Sequence, residues 1–119
     1  MTHHQINWSE DEVKALYVVL HGMAAADGEV DRSEIKEVLS HVIKKTGEDL
    51  FSYNFSMANE LFEAAEKVDV KQAVATLSQI EPAKKDLVVD GLRGVMSADG
   101  KIKKEEVKYL DKIVAMLSN

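Results

Sequence analysis

The amino-acid sequence predicts an all-α fold of about seven helices in one compact domain, and three observations support this. Strong helix formers dominate the 119 residues, which contain only one proline and six glycines. Apolar residues recur every three or four positions in several segments. A pattern of helix, Asp-Gly turn and helix occurs twice, 72 residues apart. We therefore expect a single domain over 1–119, with two similar helical hairpins related by an internal repeat.

The first hairpin follows a polar N-terminal segment, 1–8, which is predicted to be a mobile tail. Trp8 is expected to pack against the first helix, and an exposed docking role is the alternative. Ser9 and Glu12 form a capping box that starts this helix. The helix is expected to run to Asp27 and to end at Gly28. Its inward residues are Val13, Leu16, Tyr17, Leu20, Met23 and Ala24.

The second helix of this hairpin is predicted to begin after Asp31, whose capping box is completed by Glu34. Gly47 is expected to end it. The next stretch, 48–56, is predicted to be a loop or short helix whose aromatic residues fill the core. An aromatic binding site is the alternative for this stretch.

Three more helix starts follow along the chain. Ser56 is expected to cap a helix that turns Leu61 and Phe62 inward. Asp69 is expected to cap the next helix, and Pro82 suits the first turn of the helix after that. The final helix is predicted to turn inward its apolar residues Val107, Leu110, Ile113, Val114 and Leu117.

The two Asp-Gly turns hold most of the candidate functional residues. Ala26-Asp27-Gly28-Glu29-Val30 and Ala98-Asp99-Gly100-Lys101-Ile102 are each followed by a glutamate, Glu34 or Glu106. Helix capping alone accounts for Glu34. It does not account for Asp27 and Asp99, because a carboxylate at the C-terminal end of a helix opposes the macrodipole. The residues leave three interpretations open: hydrogen-bonded structural carboxylates, a divalent cation site, or a surface that docks a partner protein.

The cation interpretation predicts hard oxygen ligands, which suit Ca²⁺ or another divalent cation such as Mg²⁺ or Mn²⁺. The early ligands of a calcium-binding EF-hand loop are missing, so carboxylates must come from both helices of a hairpin or from both hairpins. The first turn is the more acidic of the two. The predicted metal ligands are Asp27, Asp31, Glu34, Asp99 and Glu106.

At these doubled motifs the sequence resembles the TerB-like family, the tellurite resistance protein B domain. The resemblance implies an all-α fold and a cytoplasmic bacterial protein linked to tellurite or chemical stress. A related domain occurs in membrane-anchored co-chaperones of the DnaJ type. The acidic residues of the family have been proposed to bind a divalent cation, and this carries over to Asp27, Glu34, Asp99 and Glu106.

Composition and motifs narrow the function classes further. The net charge of −6 opposes binding to nucleic acid, and no apolar run is long enough for membrane insertion. No catalytic motif is present, and Glu37 and His41 are spaced one residue too far apart for a di-iron pair. His21 and His41 are expected to be helix-surface or boundary residues rather than metal ligands. The sequence predicts a non-enzymatic cation-binding stress protein, or alternatively a metal-free helical adaptor. Either is expected to have a protein partner, and a homodimer is compatible with both.

Overall fold

The computed structural model describes residues 8–26, 32–46, 55–97 and 102–118. These residues form six α-helices and no strand, which confirms the all-α prediction. None of the six combines the length and apolar character of a membrane span. The helices are α1 (Glu10–Ala24), α2 (Arg32–Thr46), α3 (Phe55–Lys67), α4 (Val70–Leu77), α5 (Pro82–Ser97) and α6 (Lys104–Leu117).

Capping residues set the starts of α1 and α4 as predicted. The Ser9 hydroxyl accepts a hydrogen bond from the Glu12 amide at 3.1 Å, and the Glu12 carboxylate accepts one from the Ser9 amide at 2.9 Å. Asp69 accepts from the Lys71 amide at 3.4 Å, while Gln72 accepts from the Asp69 amide at 3.3 Å. These bonds satisfy amides that a helix start otherwise leaves without partners.

Two helix boundaries differ from the prediction. The first helix ends at Ala24, and the Ala26 amide donates to the Met23 carbonyl at 3.2 Å in a tighter turn. The helix therefore stops before Asp27 rather than running into it. The third helix begins at Phe55, so Ser56 lies inside its first turn instead of capping it. The expected aromatic loop otherwise lies outside the described residues.

Helix α1 is the central element of the fold, because it packs against all five of the other helices. Its predicted inward residues are all buried, but so are residues that the amphipathic pattern left out, namely Ala15, Val18 and Val19. A helix that is apolar on every side is enclosed by its neighbours. The predicted stripe was thus correct but narrower than the buried surface.

The internal repeat of the sequence corresponds to two helical hairpins in the structure. Helices α1 and α2 form one hairpin and α5 and α6 form the other, with α3 and α4 between them. Glu12 at the start of α1 contacts Lys84 at the start of α5, 2.9 Å away. Further along, a Cβ placed on Gly91 would lie 3.3 Å from the Leu20 side chain. The helices α1 and α5 therefore run side by side in the same direction and end on the same side of the molecule.

Two equivalent glycines connect the hairpins. A Cβ on Gly22 of α1 would meet the Tyr109 hydroxyl of α6, and its ring carbon Cζ at 2.8 Å. A Cβ on Gly94 of α5 would meet the His41 ring of α2, with Nε2 at 2.8 Å. Gly22 and Gly94 are 72 residues apart, the period of the repeat. Each glycine thus accommodates a ring from the second helix of the opposite hairpin.

Two residues that were predicted to face the core are partly exposed instead. Phe62 is 39% exposed, because the neighbouring Leu61 takes the fully buried position on α3. Val107 is 40% exposed near the start of α6, whereas Ile113 and Leu117 at the other end are buried. The apolar pattern of a helix identifies the side that faces the core. It does not show how much of that side the neighbouring helices bury.

Candidate functional site

The structure describes two of the predicted metal ligands, Glu34 and Glu106. Each is the third residue of its helix, α2 or α6, and the two are related by the repeat. Asp27, Asp31 and Asp99 lie outside the described residues. The repeat therefore places the two described carboxylates in equivalent first turns, where a carboxylate favours the positive end of the helix dipole.

Glu106 is buried at the start of α6, with 8% of its surface exposed. One of its oxygens accepts a hydrogen bond from the Lys103 backbone amide at 3.0 Å. Lys103 is the N-cap residue, and its ammonium group cannot accept a hydrogen bond in return. Glu106 therefore forms one half of a capping box alone, which agrees with the structural interpretation of this carboxylate.

The first turn of α6 lies beside the last turns of α1. Tyr109, one turn after Glu106, donates a hydrogen bond from its hydroxyl to the Val19 carbonyl at 2.7 Å. The same hydroxyl reaches Gly22 near the end of α1. Glu106 is therefore positioned at the end of the molecule where α1 and α5 finish. Burial of the phenol raises the pKa of Tyr109, so the hydroxyl stays a donor at neutral pH.

The two described carboxylates do not make a complete metal centre. Glu34 is half-buried and already takes part in an interaction within the protein. The described part of the chain contains no group of three or more histidine, cysteine, aspartate or glutamate side chains that could hold a metal ion. A cation site at this end would therefore need carboxylates from the Asp-Gly segments as well.

The two central histidines are both partly buried, His21 in α1 and His41 in α2. His21 is half-buried in the last turn of α1, its ring centroid 5.8 Å from that of Tyr17. Burial lowers the pKa of His21, because it disfavours the charged imidazolium. In α2, Nε2 of His41 is 3.7 Å from the Glu37 carboxylate, one helical turn away. This pair connects neighbouring turns of one helix.

Sequence reasoning missed an ion pair at the opposite end of the molecule. Lys84, only 7% exposed, places Nζ 2.9 Å from Glu12 and 5.5 Å from the centre of the Trp8 ring. Trp8 is buried, as expected for a packing role. The repeat contained a usable signal, since Glu12 and Lys84 are 72 residues apart and opposite in charge.

Burial by itself raises the pKa of Glu12, but two favourable contacts outweigh this effect. The carboxylate accepts a hydrogen bond from the Ser9 amide and faces the Lys84 ammonium. Together they hold the pKa of Glu12 below its ordinary value of 4.5. The carboxylate is therefore ionised at neutral pH and pairs with the buried lysine.

A shallow cleft of about 430 Å³ lies near this ion pair, between the start of α1 and the end of α4. Its polar lining includes Ser9 and Glu12, which already bond to each other. The Thr76 hydroxyl, also in the lining, donates to the Gln72 carbonyl at 3.3 Å. Asp11 and Gln79 complete the polar lining of the cleft.

Comparisons with known proteins agree with the fold. The chain is similar to a protein of unknown function, PG1108 from Porphyromonas gingivalis W83, whose crystal structure it matches with a TM-score of 0.74. The identity is 22%, and the match covers 95% of this chain and 86% of the other. No curated protein gives a match. The family model described as tellurite resistance protein TerB matches residues 13–118. This match spans nearly the whole chain, which therefore belongs to the TerB family.

Proposed function

We propose that this chain is a non-enzymatic protein of bacterial stress or tellurite resistance that binds a divalent cation with its Asp-Gly turns. The observation that carries the proposal is the parallel pairing of α1 and α5. The Glu12–Lys84 contact and the Leu20–Gly91 contact fix this direction at both ends of the pair. The turn-bearing segments therefore leave their helices on the same side of the molecule. We place the protein in the cytoplasm.

Carboxylates at that end would supply oxygen ligands from both hairpins. Glu106 uses one oxygen for the Lys103 amide, but a carboxylate has about four lone-pair positions and can also bind a cation. Glu34 occupies the equivalent position in α2. Asp27, Asp31 and Asp99 would complete the site in this proposal, and oxygen-only ligation favours Ca²⁺, Mg²⁺ or Mn²⁺.

A cation would also offset an unfavourable charge arrangement. The C-terminal end of a helix carries a partial negative charge, and an aspartate just beyond that end raises the local free energy by about 0.3–1 kcal/mol. In the sequence, Asp27 comes three residues after the end of α1 and Asp99 two residues after the end of α5. A divalent cation between them would reverse both contributions. This gives the two aspartates a role that capping does not explain.

A metal-free helical adaptor is the second candidate, favoured by a different observation. Glu106 accepts a hydrogen bond from the Lys103 backbone amide, as a carboxylate with a structural role does. Ile102 and Val107 are, moreover, among the exposed large apolar residues of the described chain. Exposed apolar residues mark a contact surface where they form a contiguous patch. In this case the carboxylates serve the fold, and a protein partner is the ligand.

Thermal unfolding separates the two candidates. The protein is melted with EDTA and then with an excess of Ca²⁺, Mg²⁺, Mn²⁺ or Zn²⁺. A cation at 100 times its Kd stabilises the native state by about 2.7 kcal/mol, which for a chain of this size raises Tm by about 10 °C. The expected result is such a rise with at least one hard cation. No shift with any cation overturns the proposal and favours the adaptor.

Two variants test whether the Asp-Gly turns cause the rise in Tm with a cation. The double variant Asp27→Asn/Asp99→Asn is expected to lose the metal-dependent rise. Asp86→Asn, which removes an exposed carboxylate from the first half of α5, is expected to keep it. A rise that survives in the first variant would place the cation elsewhere.

A further inference from the structure

We propose that Trp8 is a latch that opens while the helices stay folded and, when open, exposes the ammonium group of Lys84. Trp8 is the single tryptophan of the chain and directly precedes Ser9, the N-cap residue of α1. In the closed state its side chain belongs to the hydrophobic core and is 8% exposed. The proposal does not depend on the Asp-Gly turns, which follow the other ends of α1 and α5 in the sequence.

The closed position of Trp8 leaves one of its polar groups unsatisfied. The indole nitrogen Nε1 is shielded from solvent and has no hydrogen-bond acceptor within the described structure. In water this N–H group would donate to a solvent molecule, so burying it without an acceptor is unfavourable. Most buried polar side-chain atoms in folded proteins have such a partner. The closed state therefore carries a cost that is recovered when the indole reaches the solvent.

The backbone next to Trp8 allows this residue to move without the helix. Helix α1 begins at Glu10, so Trp8 lies outside it. The helix start is secured by other residues, because Ser9 and Glu12 each bond the backbone amide of the other. The Val13 amide also donates to the Ser9 carbonyl at 2.9 Å. A rotation of the chain before Ser9 therefore breaks none of these hydrogen bonds.

A side chain from the other half of the chain holds Trp8 in the closed position. Lys84 of α5 places its ammonium nitrogen 5.5 Å from the centre of the Trp8 ring, within the range of a cation–π contact. Glu12 fixes this ammonium group, because its carboxylate lies 2.9 Å from the same nitrogen. Lys84 is itself buried. The contact is therefore mutual: Lys84 covers the ring, and Trp8 shields the ammonium group from water.

Opening of Trp8 would connect Lys84 with the cleft at the start of α1. That cleft is lined by Ser9, which adjoins Trp8, and by Glu12, which accepts a hydrogen bond from Lys84. With the indole withdrawn, solvent in the cleft would hydrate both the indole N–H and the ammonium group. This end of the molecule is thus a two-state element, with Lys84 buried in the closed state and accessible in the open one.

Hydrogen exchange of the single indole N–H, followed by NMR, tests the opening in the intact chain. Its rate is corrected for that of a free indole and compared with the slowest backbone amides of α1 at several low urea concentrations. The indole proton is expected to exchange at least about a hundredfold faster than these amides. Urea is expected to change its rate little, because a local opening exposes little surface. An indole with the rate and the urea dependence of the slowest amides opens only by global unfolding, which overturns the proposal.

Two neighbouring lysines of α5 show whether Lys84 holds Trp8 closed. Lys84→Ala removes both the ammonium group and its aliphatic stem from the ring and is expected to raise the indole exchange rate about tenfold. Lys85→Ala is the matched control, because Lys85 donates instead to the Leu117 carbonyl of α6 at 3.2 Å. It is expected to leave the rate unchanged. Equal effects of the two variants overturn the proposal. Circular dichroism checks folding, and the wild-type measurement is decisive if Lys84→Ala does not fold.

Acetylation of amines tests whether the opening exposes Lys84. Labelling of each lysine is followed over time by mass spectrometry of peptides. Lys71, whose side chain is exposed, is expected to react at once, and Lys84 much more slowly. Trp8→Ala is expected to speed the labelling of Lys84 at least about tenfold and to leave that of Lys71 unchanged. A Lys84 that reacts equally slowly in both proteins would show that Trp8 does not cover it, which overturns the proposal.

Discussion

Glu12 and Lys84 occupy equivalent positions in the two halves of the chain and form a direct ion pair of 2.9 Å. The contact joins the starts of α1 and α5, which are the equivalent first helices of the two hairpins. One half of the repeat contributes the carboxylate and the other the ammonium, so the pair is a place where the two halves have diverged to complement each other.

The ion pair is expected to show unequal losses when either partner is removed. Glu12→Gln leaves the ammonium of Lys84 buried without its counter-charge and is expected to cost about 3 kcal/mol. Lys84→Met should cost less, because the Glu12 side chain is 20% exposed and keeps its Ser9 hydrogen bonds. The double variant is expected to recover much of the loss. Urea denaturation of all four proteins measures the coupling, and purely additive losses would show that the pair is not coupled.

The glycine–ring contacts predict that two apparently mild substitutions destabilise the fold. Gly22→Ala adds a Cβ against Tyr109, whose hydroxyl is tied to the Val19 carbonyl. Alanine is the better helix former by about 1 kcal/mol, but overpacking costs about 1–3 kcal/mol. We expect a net loss of stability for Gly22→Ala and for the equivalent Gly94→Ala.

Relief of the crowding provides the control for this prediction. Adding Tyr109→Phe to Gly22→Ala removes the nearest atom, so the double variant is expected to lose less than the sum of the two single losses. Urea denaturation gives the values. Strict additivity, or a gain in stability for Gly22→Ala alone, would contradict the close packing of the two hairpins.

The enclosure of α1 predicts a sensitive position that the amphipathic pattern does not mark. Val19 has no exposed surface, although it lies outside the predicted stripe. Val19→Ala is expected to cost about 2 kcal/mol in the free energy of unfolding. Val107→Ala, the same change at a 40% exposed position of α6, is expected to stay within about 0.5 kcal/mol. Equal effects at the two positions would show that α1 is not enclosed.

Acidification is expected to destabilise the protein in two steps. The folded-state pKa of His21 is lowered by burial, so below its ordinary value of 6.5 the unfolded chain binds a proton that the native state does not. The folded-state pKa of Glu12 is also lowered, and its stabilisation is lost as the pH falls from 4.5 through that value. Both groups therefore give stability that rises with pH within their windows.

Single variants show which residue causes each step of the pH–stability profile. Unfolding free energy is measured by urea titration at several pH values. His21→Gln is expected to flatten the profile just below the ordinary histidine pKa and to leave the lower step in place. Glu12→Gln is expected to remove the lower step only. A wild-type stability that rises as the pH falls from 6.5 would contradict the burial of His21.

Much of the fold could be predicted because it depends on local signals. The capping residues Ser9 and Asp69 and the first-turn proline Pro82 mark helix starts through backbone chemistry that neighbouring residues satisfy. The doubled pattern correctly indicated two equivalent hairpins. These features need no knowledge of which elements meet in three dimensions.

The rest depends on which helices meet, and periodicity does not contain that information. The burial of Val19 and the exposure of Phe62 follow from the number of neighbours around each helix. The end of α1 at Ala24 could not be read from Gly28, because the chain tightens before it. At the candidate site, the repeat in the sequence relates Glu106 to Glu34, but the burial of Glu106 depends on contacts between hairpins.

The most direct test of a shared cation site is a calcium titration of the intact protein, monitored by NMR through its backbone amide signals. If both Asp-Gly turns bind a cation, the amides of 27–34 and 99–106 will shift together along one binding curve. Asp27→Asn/Asp99→Asn will abolish these shifts, while Asp86→Asn will keep them. Amides in both segments that stay unmoved up to a large excess of Ca²⁺, and likewise with Mg²⁺ and Mn²⁺, would contradict the proposal.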